Sequence, residues 1–514
     1  MMNRKSVAPP YYSLAALCSL GRELPLYTAE QARAIDAAEI QRLGSDGLLL
    51  MRRAAEALMA FVVATYPRQR MSIFCGGGNN GGDGWLLALL AHRAGWSVEV
   101  LSVAEPGSLS GDARCAYDEA RQAGVVYREW SGDAVEEGVV VDALFGSGLN
   151  RPIVGHQLRA VRCINRLSLP VLAVDIPSGL CADSGAVLGD AVRADYTMSL
   201  VVLKKGLLTG RARAFTGELL LAALGVDEAV SSAPASHYTV MPLPVSLPRR
   251  SAVAHKGESG RLVLIGGSAN TAGAIIMAAE SALLSGAGLI TVLTSAATVA
   301  PLLARCPEVM PVVVEKVSDE VIERKLASAD AVVIGPGLGV DSWARELLSR
   351  ALRCAAPLVL DADALSLLAE YKELRGVLTE AAILTPHPGE AARLLGTTVA
   401  AVESDRYAAV ASLRQLYRTR VLLKGAGSLM MARGKVAVCP YGNAGMASGG
   451  YGDVLSGVLG ALLVQGLAVD TALTIAVNLH AAAADRLESR QGQVGMRPTE
   501  LSVEIRELIN SLVS

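Results

Sequence analysis

One phrase recurs along this chain and limits what it can fold into. A short run of Val, Leu, Ile and Ala carries no charge, then stops at a glycine or a charged residue. Val139–Val141 stops at Asp142, and Val171–Val174 at Asp175. Leu262–Ile265 stops at Gly266, Ala331–Ile334 at Gly335, Leu358–Leu360 at Asp361, and Val421–Leu423 at Lys424. Runs that are apolar throughout, rather than alternating, predict strands buried on both faces. Helical patterns lie between them, so the expectation is an α/β chain of parallel sheets sandwiched by helices. In such sheets ligands bind beyond the carboxyl ends of the strands. The stop residues are therefore the first place to look for chemistry.

The length, 514 residues, exceeds one ordinary core and predicts two or three domains. Hydrophobic residues make up 52% but aromatics only 4%, with 51 glycines, which suits buried parallel sheets. Lys plus Arg is 47 against 49 for Asp plus Glu, so no basic excess points to nucleic acid. The eight cysteines form no CxxC pair, which argues against a zinc site or disulfide framework and fits a reducing cytoplasm. Ser281–Ala304 is uncharged and long enough to span a membrane. Gly286, Gly288 and Pro301 interrupt it, and it parses instead as a helix end, a strand at Leu289–Leu293 and a new helix. No membrane span is expected. Residues 1–24 hold only a brief apolar run, Leu14–Leu20, and are expected to be a disordered lead-in rather than a secretory signal.

Thr28–Leu58 reads as helical, opened by a capping box of Thr28 and Gln31. Met71–Cys75 is a strand, Gly76–Gly84 a glycine loop, Trp85–Arg93 a helix and Ser97–Val103 a strand. Gly76, Gly78 and Gly81 satisfy GxGxxG, which taken alone predicts a dinucleotide-binding dehydrogenase. Two features oppose that. Glu99 lies inside its strand rather than closing it, and Asn79, Asn80 and Asp83 make the loop polar. Such side chains suit a polar ligand or a cation; the plain alternative is a glycine turn with local Asn caps. One strand-end Asp is commonly a helix cap. Asp142 and Asp175, each followed by a glycine-containing loop and joined by Asn80, point into one crevice.

GGGNNGGDG, DALFGSGLNRP, DIPSG and LKKGLLTG resemble the epimerase domain of the NAD(P)H-hydrate repair enzymes. That family interconverts the R and S forms of hydrated NADH and NADPH. The resemblance implies ligand contacts at Asn79, Asn80, Gly81, Gly82 and Asp83, at Gly146, Ser147, Gly148, Leu149, Asn150, Arg151 and Pro152, and at Asp175. It implies potassium ligands at Asn80, Asp142 and Ser178, and places Lys204 near the site. Many members have proline where this chain has Lys205.

Residues 231–251 hold Pro234, Pro242, Pro244 and Pro248 among serines and read as an extended linker. The expected domains are therefore 25–230 and 252–514.

The second domain is organised around Ala444–Gly457, which reads AGMASGGYGDVLSG. Gly449, Gly450 and Gly452 precede Asp453, and an uncharged run to Val464 follows. Glycines entering a helix N-terminus present unpaired N–H groups to an anion. A carboxylate beside a bound phosphoryl group suits a base that deprotonates an attacking hydroxyl. Otherwise Asp453 only favours the helix dipole. Lys424 with Gly425 and Gly427 is a second anion signature, and His387 is held stiff between two prolines. No GxxxxGK[ST] sequence is present, which excludes a P-loop protein.

This half resembles the ribokinase-like superfamily, whose anion hole and catalytic Asp lie in GxGD. HKGESGR, GPGLG, TPHPGE, KGAGS and GMASGGYGDVLSG match its hydrate dehydratase branch. The resemblance implies hydrate contacts at Gly273, Gly337, His387 and Asp453, and nucleotide contacts at Lys424, Gly425, Ala426, Gly427, Ser428 and Gly452. Ser428 often corresponds to Thr, and Tyr451 to Thr or Met. The fold implied is Rossmann-like for the first domain and ribokinase-like for the second. The activity implied is epimerisation joined to dehydration, with Asp175 and Asp453 as the catalytic acids, ADP as phosphoryl donor with Mg2+, and a homo-oligomeric assembly. The rivals are a small-molecule kinase, which would leave a stable phosphorylated product, and a non-catalytic binding module like the scaffolds of mRNA decapping. Retention of Asn80, Asp142 and Asp175 together argues against the latter.

Overall fold

The computed structural model describes residues 10–513, apart from 45–46, 134, 235, 248, 250, 254–257, 315–319 and 433. His255, Lys256 and Gly257 of the HKGESGR motif and residues 1–9 of the lead-in lie outside the described residues. The chain divides into two compact units, residues 24–239 with the segment ending at Cys18, and residues 240–514 with 19–23.

In the first unit one sheet of eight strands holds the core. Its spatial order is Tyr12–Ser13, Glu218–Ala222, Tyr196–Leu200, Val171–Val174, Val139–Ala143, Arg70–Cys75, Ser97–Ser102 and Val126–Glu129. All neighbours run parallel except the first pair. Successive residues of one strand enter different cores. Ile73, Val100 and Val141 pack with Met51, Leu58 and Trp85 on one face; Phe74, Leu101 and Val140 pack with Ala160 and Val161 on the other. Helices thus cover both faces, as a sheet of uniformly apolar strands requires. From Arg70–Cys75 the chain winds outward through two strands, then returns to Val139–Ala143 on its other side. That reversal opens a crevice at the carboxyl ends of these two strands.

The second unit repeats the design. Its parallel strands lie in the order Met310–Val313, Leu289–Thr294, Arg261–Ile265, Ala331–Ile334, Leu358–Leu360, Ala382–Leu384 and Arg420–Leu423. The antiparallel hairpin Leu429–Ala432 and Lys435–Val438 extends it. The order reverses between Arg261–Ile265 and Ala331–Ile334. The loops beyond these strands touch: a Cβ on Gly266 would stand 2.1 Å from the Pro336 carbonyl oxygen. The helices Ala272–Leu284, Tyr451–Val464, Val469–Gln491 and Pro498–Leu512 pack on Leu262, Leu264, Val333 and Val359.

Four expectations need correction. The long first helix is two, Ala29–Leu43 and Leu48–Thr65, because Gly44 takes a left-handed turn (φ 58°). The lead-in is ordered over 12–18: Tyr12–Ser13 pairs antiparallel with Glu218–Ala222, and Leu14–Cys18 is a helix. A two-residue edge strand has no periodic signal; only its partner strand specifies it. The linker is docked, with Met241 and Leu247 buried in the second unit's core. Finally, the glycine run is not a loop as far as Gly84, because the helix begins at Asn79. A Cβ on Gly84 would meet the Ala143 Cβ at 2.7 Å, and one on Gly81 the Gly76 carbonyl oxygen at 2.1 Å. Glycine costs about 1 kcal/mol inside a helix, and here it lets the helix lie directly on the strands.

Among the described residues no helix is long and apolar enough to cross a membrane. The uncharged stretch from Ser281 parses as a helix end, the strand Leu289–Thr294 and the helix Ala296–Arg305.

Candidate active sites

The first crevice is built on three strand ends. Asp175 follows Val171–Val174 and is held in the left-handed region, φ 65°, unusual for a residue with a Cβ. Such a conformation costs roughly 1–3 kcal/mol and persists only where surrounding contacts fix it. Here the Ser147 amide donates to Asp175 Oδ2 (3.1 Å) and the Leu200 amide to Oδ1 (3.3 Å). The Lys204 ammonium also pairs with Oδ1. That ammonium donates in addition to the Leu200 carbonyl at 2.6 Å and reaches Ser199 Oγ at 3.5 Å. A Cβ on Gly146 would stand 3.3 Å from both Asn80 Oδ1 and Asp175 Oδ2, so this glycine separates the two side chains.

Asp142 is fully buried. Its carboxylate accepts from the Ser178 amide (2.8 Å), Ser178 Oγ (2.6 Å) and the Leu144 amide (3.2 Å). Burial pushes its pKa up to about 6, against those hydrogen bonds. Asp83 is raised well above the usual carboxylate range by burial first, then by Asp175 and Asp36, with Lys204 opposing.

These residues fit a potassium ion. Asp142 and Ser178 are buried, and Asn80 is buried with its Oδ1 turned toward Gly146. Hard oxygens of Asp, Ser and Asn are the donors such an ion takes.

The other expected contacts divide. Asn79 is exposed at the helix start, Asn80 and Asp83 are buried behind it, and Ser147 reaches Asp175. Gly81 and Gly82 face packing partners, Gly76 for the one and Met51 and Ala113 for the other. Gly148, Asn150, Arg151 and Pro152 are exposed, and Leu149 turns back on Gly146 (3.4 Å).

In the second unit Gly450 takes φ 102° and opens the helix Tyr451–Val464, which puts Asp453 in its first turn. Lys424 Nζ lies 2.6 Å from Asp361 Oδ1 and 4.0 Å from Glu390 Oε2. Ser456 Oγ donates to Asp361 Oδ2 (2.8 Å). A Cβ on Gly452 would meet Lys424 Nζ at 3.2 Å, so the glycine loop lies against the amine. Burial alone would raise Asp361, yet Lys424, Ser456 and Thr385 hold it below the usual range. Asp453 goes the other way: burial, then Asp361, push it up to about 7, with Lys424 opposing. Burial also pushes Glu390 up to about 7.

His387 caps the helix Pro388–Leu395, its Nδ1 accepting from the Gly389 amide (2.9 Å) while its own amide donates to Glu390 (2.8 Å). Burial and then Lys424 lower its pKa, so the ring is neutral at pH 7. Gly337, at φ 59°, packs on Thr271, and a Cβ on Gly450 would meet Met277. Both loops therefore close on the start of the helix Ala272–Leu284, where Gly273 faces open space. Arg406 donates to the Leu423 and Lys424 carbonyls and shapes the turn into Gly425, while Ala426 is exposed and Ser428 Oγ caps the Gly425 carbonyl (3.0 Å).

Sequence reasoning left several members of these clusters unassigned: Asp36 in the first unit, Glu390 and Ser456 in the second. Asp361, the acid that closes the strand Leu358–Leu360, is the partner of Lys424. For Glu390 a signal existed, because His387 and Glu390 have capping-box spacing. For Asp36, on a helix of alternating Ala and charge, there was none.

Residues 262–507 match a family described as NAD(P)H-hydrate dehydratase, and residues 47–206 match the YjeF-related protein N-terminus. The bifunctional NAD(P)H-hydrate repair enzyme Nnr of Vibrio cholerae is 40% identical, over 94% of this chain and 98% of its own. Its Escherichia coli counterpart is 41% identical, over 90% of each. Among solved structures, the ADP/ATP-dependent NAD(P)H-hydrate dehydratase of Bacillus subtilis, co-crystallised with ATP and Mg2+, is 26% identical. It covers 52% of this chain and 94% of its own, with a TM-score of 0.45. A Rossmann-like unit with acids at its switch point is thus followed in one chain by a ribokinase-like unit with its Asp at a glycine-capped helix start, and the chain belongs to the bifunctional NAD(P)H-hydrate repair enzymes.

Proposed function

We infer that the chain restores hydrated NADH and NADPH in two steps: the first unit interconverts the R and S hydrates, and the second dehydrates the S form with ADP as phosphoryl donor. The observation that carries this is Asp453, a carboxylate raised to about 7 at a glycine-capped helix start, within the charge field of Lys424 and Asp361. A general base works best when its pKa lies near the operating pH.

The hydrate bears a hydroxyl on the ring carbon beside the ring nitrogen, and hydroxide leaves poorly. Asp453 takes the hydroxyl proton as the oxygen attacks the terminal phosphorus of ADP, releasing AMP. The amides around Gly449–Gly452 and the Lys424 ammonium stabilise the charge on the transferring group. The nitrogen lone pair then expels phosphate, and loss of a ring proton restores the reduced nicotinamide. When bound, Mg2+ would supply positive charge to the phosphates of the nucleotide. Glu390, whose Oε2 lies 4.0 Å from Lys424 Nζ, is the residue that would hold it.

In the first unit Asp175 is the acid/base, and potassium on Asn80, Asp142 and Ser178 would supply positive charge for the substrate. The eight cysteines form no CxxC pair in the sequence, which supports a reducing cytoplasm as the site of action. Association into homo-oligomers is part of this reading and is measured directly by light scattering.

The test is a mixture of R- and S-hydrated NADH with potassium, Mg2+ and ADP, followed by nicotinamide absorbance. Complete recovery of both isomers is expected. Asp453→Asn should lower turnover by about 10²–10⁴-fold while nucleotide still binds. Full turnover in that variant, or a stable phosphorylated product from the wild type, would overturn the reading.

A further inference from the structure

Asp361 is a buried acid inside the second unit's site, and the mechanism above gives it no part. It closes the strand Leu358–Leu360, and its backbone is fixed on several sides. Its amide donates to the Ile334 carbonyl (3.1 Å). The Thr385 amide and hydroxyl both donate to the Leu360 carbonyl just before it (3.1 Å each). A Cβ on Gly335 would overlap the Asp361 carbonyl oxygen. From this fixed point the carboxylate reaches two ways. Its Oδ1 accepts from Lys424 Nζ at 2.6 Å, and its Oδ2 from Ser456 Oγ at 2.8 Å.

Those two partners belong to different elements. Lys424 follows the strand Arg420–Leu423, with its amide on the Pro386 carbonyl (2.9 Å). Ser456 lies on the helix Tyr451–Val464, three residues after Asp453 and so on the same face. A Cβ on Gly452 would stand 3.2 Å from Lys424 Nζ and 3.6 Å from Asp361 Oδ2, so the glycine turn lies over the pair. The contacts therefore run from the helix of the base, through Ser456 and Asp361, to the ammonium. A lysine needs such a holder, because its ammonium is a point charge on a flexible stem with no planar fork to orient it.

A carboxylate in this place has two other uses, as base or as metal ligand. Each needs an oxygen free to face the hydrate or the phosphates. The Asp361 side chain is only 2% exposed, and each of its oxygens already accepts from a neighbour. Asp453, by contrast, is only partly buried.

We propose that Asp361, together with Ser456, is a positioning residue of the dehydratase site, which fixes the Lys424 ammonium relative to the helix that carries Asp453. Proton removal by Asp453 and charge stabilisation by Lys424 then act on one geometry. The proposal rests on the assignment of phosphoryl transfer to this unit. A misplacement of about 1 Å in such a site costs about 10²-fold in rate. A cation held beforehand also needs no reorganisation as charge develops on the transferring group.

The test measures S-hydrate turnover, ADP binding and Mg2+ dependence in Asp361→Asn, Ser456→Ala and the double variant, with the melting temperature as the check on folding. Asp361→Asn keeps the shape and removes the charge. It should lower kcat by about 10²-fold, while ADP affinity and the Mg2+ needed for half-maximal rate each stay within about fivefold. Ser456→Ala should lower kcat by about tenfold. Both act through one link, so the double variant should be within about twofold of Asp361→Asn alone. Wild-type kcat in Asp361→Asn, or losses that multiply in the double variant, would overturn the proposal. So would a rise of more than about tenfold in the Mg2+ requirement, which would make Asp361 a metal ligand. If Asp361→Asn does not fold, Ser456→Ala decides, and wild-type kcat there counts against the link. A wild-type protein that turns over no S-hydrate with ADP would instead sink the assignment on which the proposal rests.

Discussion

Asp453 shows what burial does to a single acid. A carboxylate at a helix N-terminus is ordinarily stabilised as an anion. Here desolvation, with Asp361 and Asp363 close by, outweighs the dipole and Lys424, and the group titrates at about 7. Two consequences follow at this scale. A base must be ionised to act, so dehydratase kcat should rise with pH through a midpoint near 7, read from a pH–rate profile. For stability the sign is opposite. Between about 4 and about 7 the folded state holds a proton that the unfolded chain has released, so stability falls as pH rises across that window. Asp453→Asn removes the cost and should raise Tm at pH 8 by several degrees, with the gain shrinking as pH falls to 4. The residue type and its glycine context were readable from AGMASGGYGD. Its pKa was not, because Asp361, Asp363 and Glu390 reach it from distant parts of the chain.

At the scale of elements, glycine spacing sets how closely helices approach. Gly457 lies in the helix Tyr451–Val464 against Ala272–Leu284, where a Cβ would stand 2.0 Å from Ser281 Oγ and 2.1 Å from the Ala278 carbonyl oxygen. Ser281 Oγ also bonds the Val454 carbonyl at 2.9 Å, which locks the pair. Gly457→Ala has no room without moving backbone. It should cost about 1–3 kcal/mol, measured by denaturant unfolding, and should slow dehydratase turnover because both helix starts carry the site. In the sequence this glycine reads as a helix-weakening residue; the partner helix reverses its meaning. The same holds for Gly81 and Gly84, which were expected in a loop and lie in a helix seated on the strands.

For the whole molecule, each compact unit carries its own sheet, its own switch point and its own cluster of acids around one lysine. Separate sites make a selective loss possible. Asp175→Ala should leave S-hydrate turnover within about twofold of wild type and stall R-hydrate recovery at the spontaneous rate, followed on the separated isomers. Equal loss on both would argue against two independent sites.

The sequence by itself determined the α/β class, nearly every central strand, the presence of two units, and the residues at the strand ends. These are local properties: apolar runs fix buried strands, and glycines and acids at fixed offsets fix the turns after them. Only the tertiary structure decided that Tyr12–Ser13 joins a sheet, that the glycine run is helical, and that Asp36 and Glu390 belong with Lys204 and Lys424. Each of these depends on a partner remote in the chain. A two-residue strand is specified by the edge it pairs with, a glycine helix by the backbone it approaches, and an acid's charge by neighbours that only folding brings near.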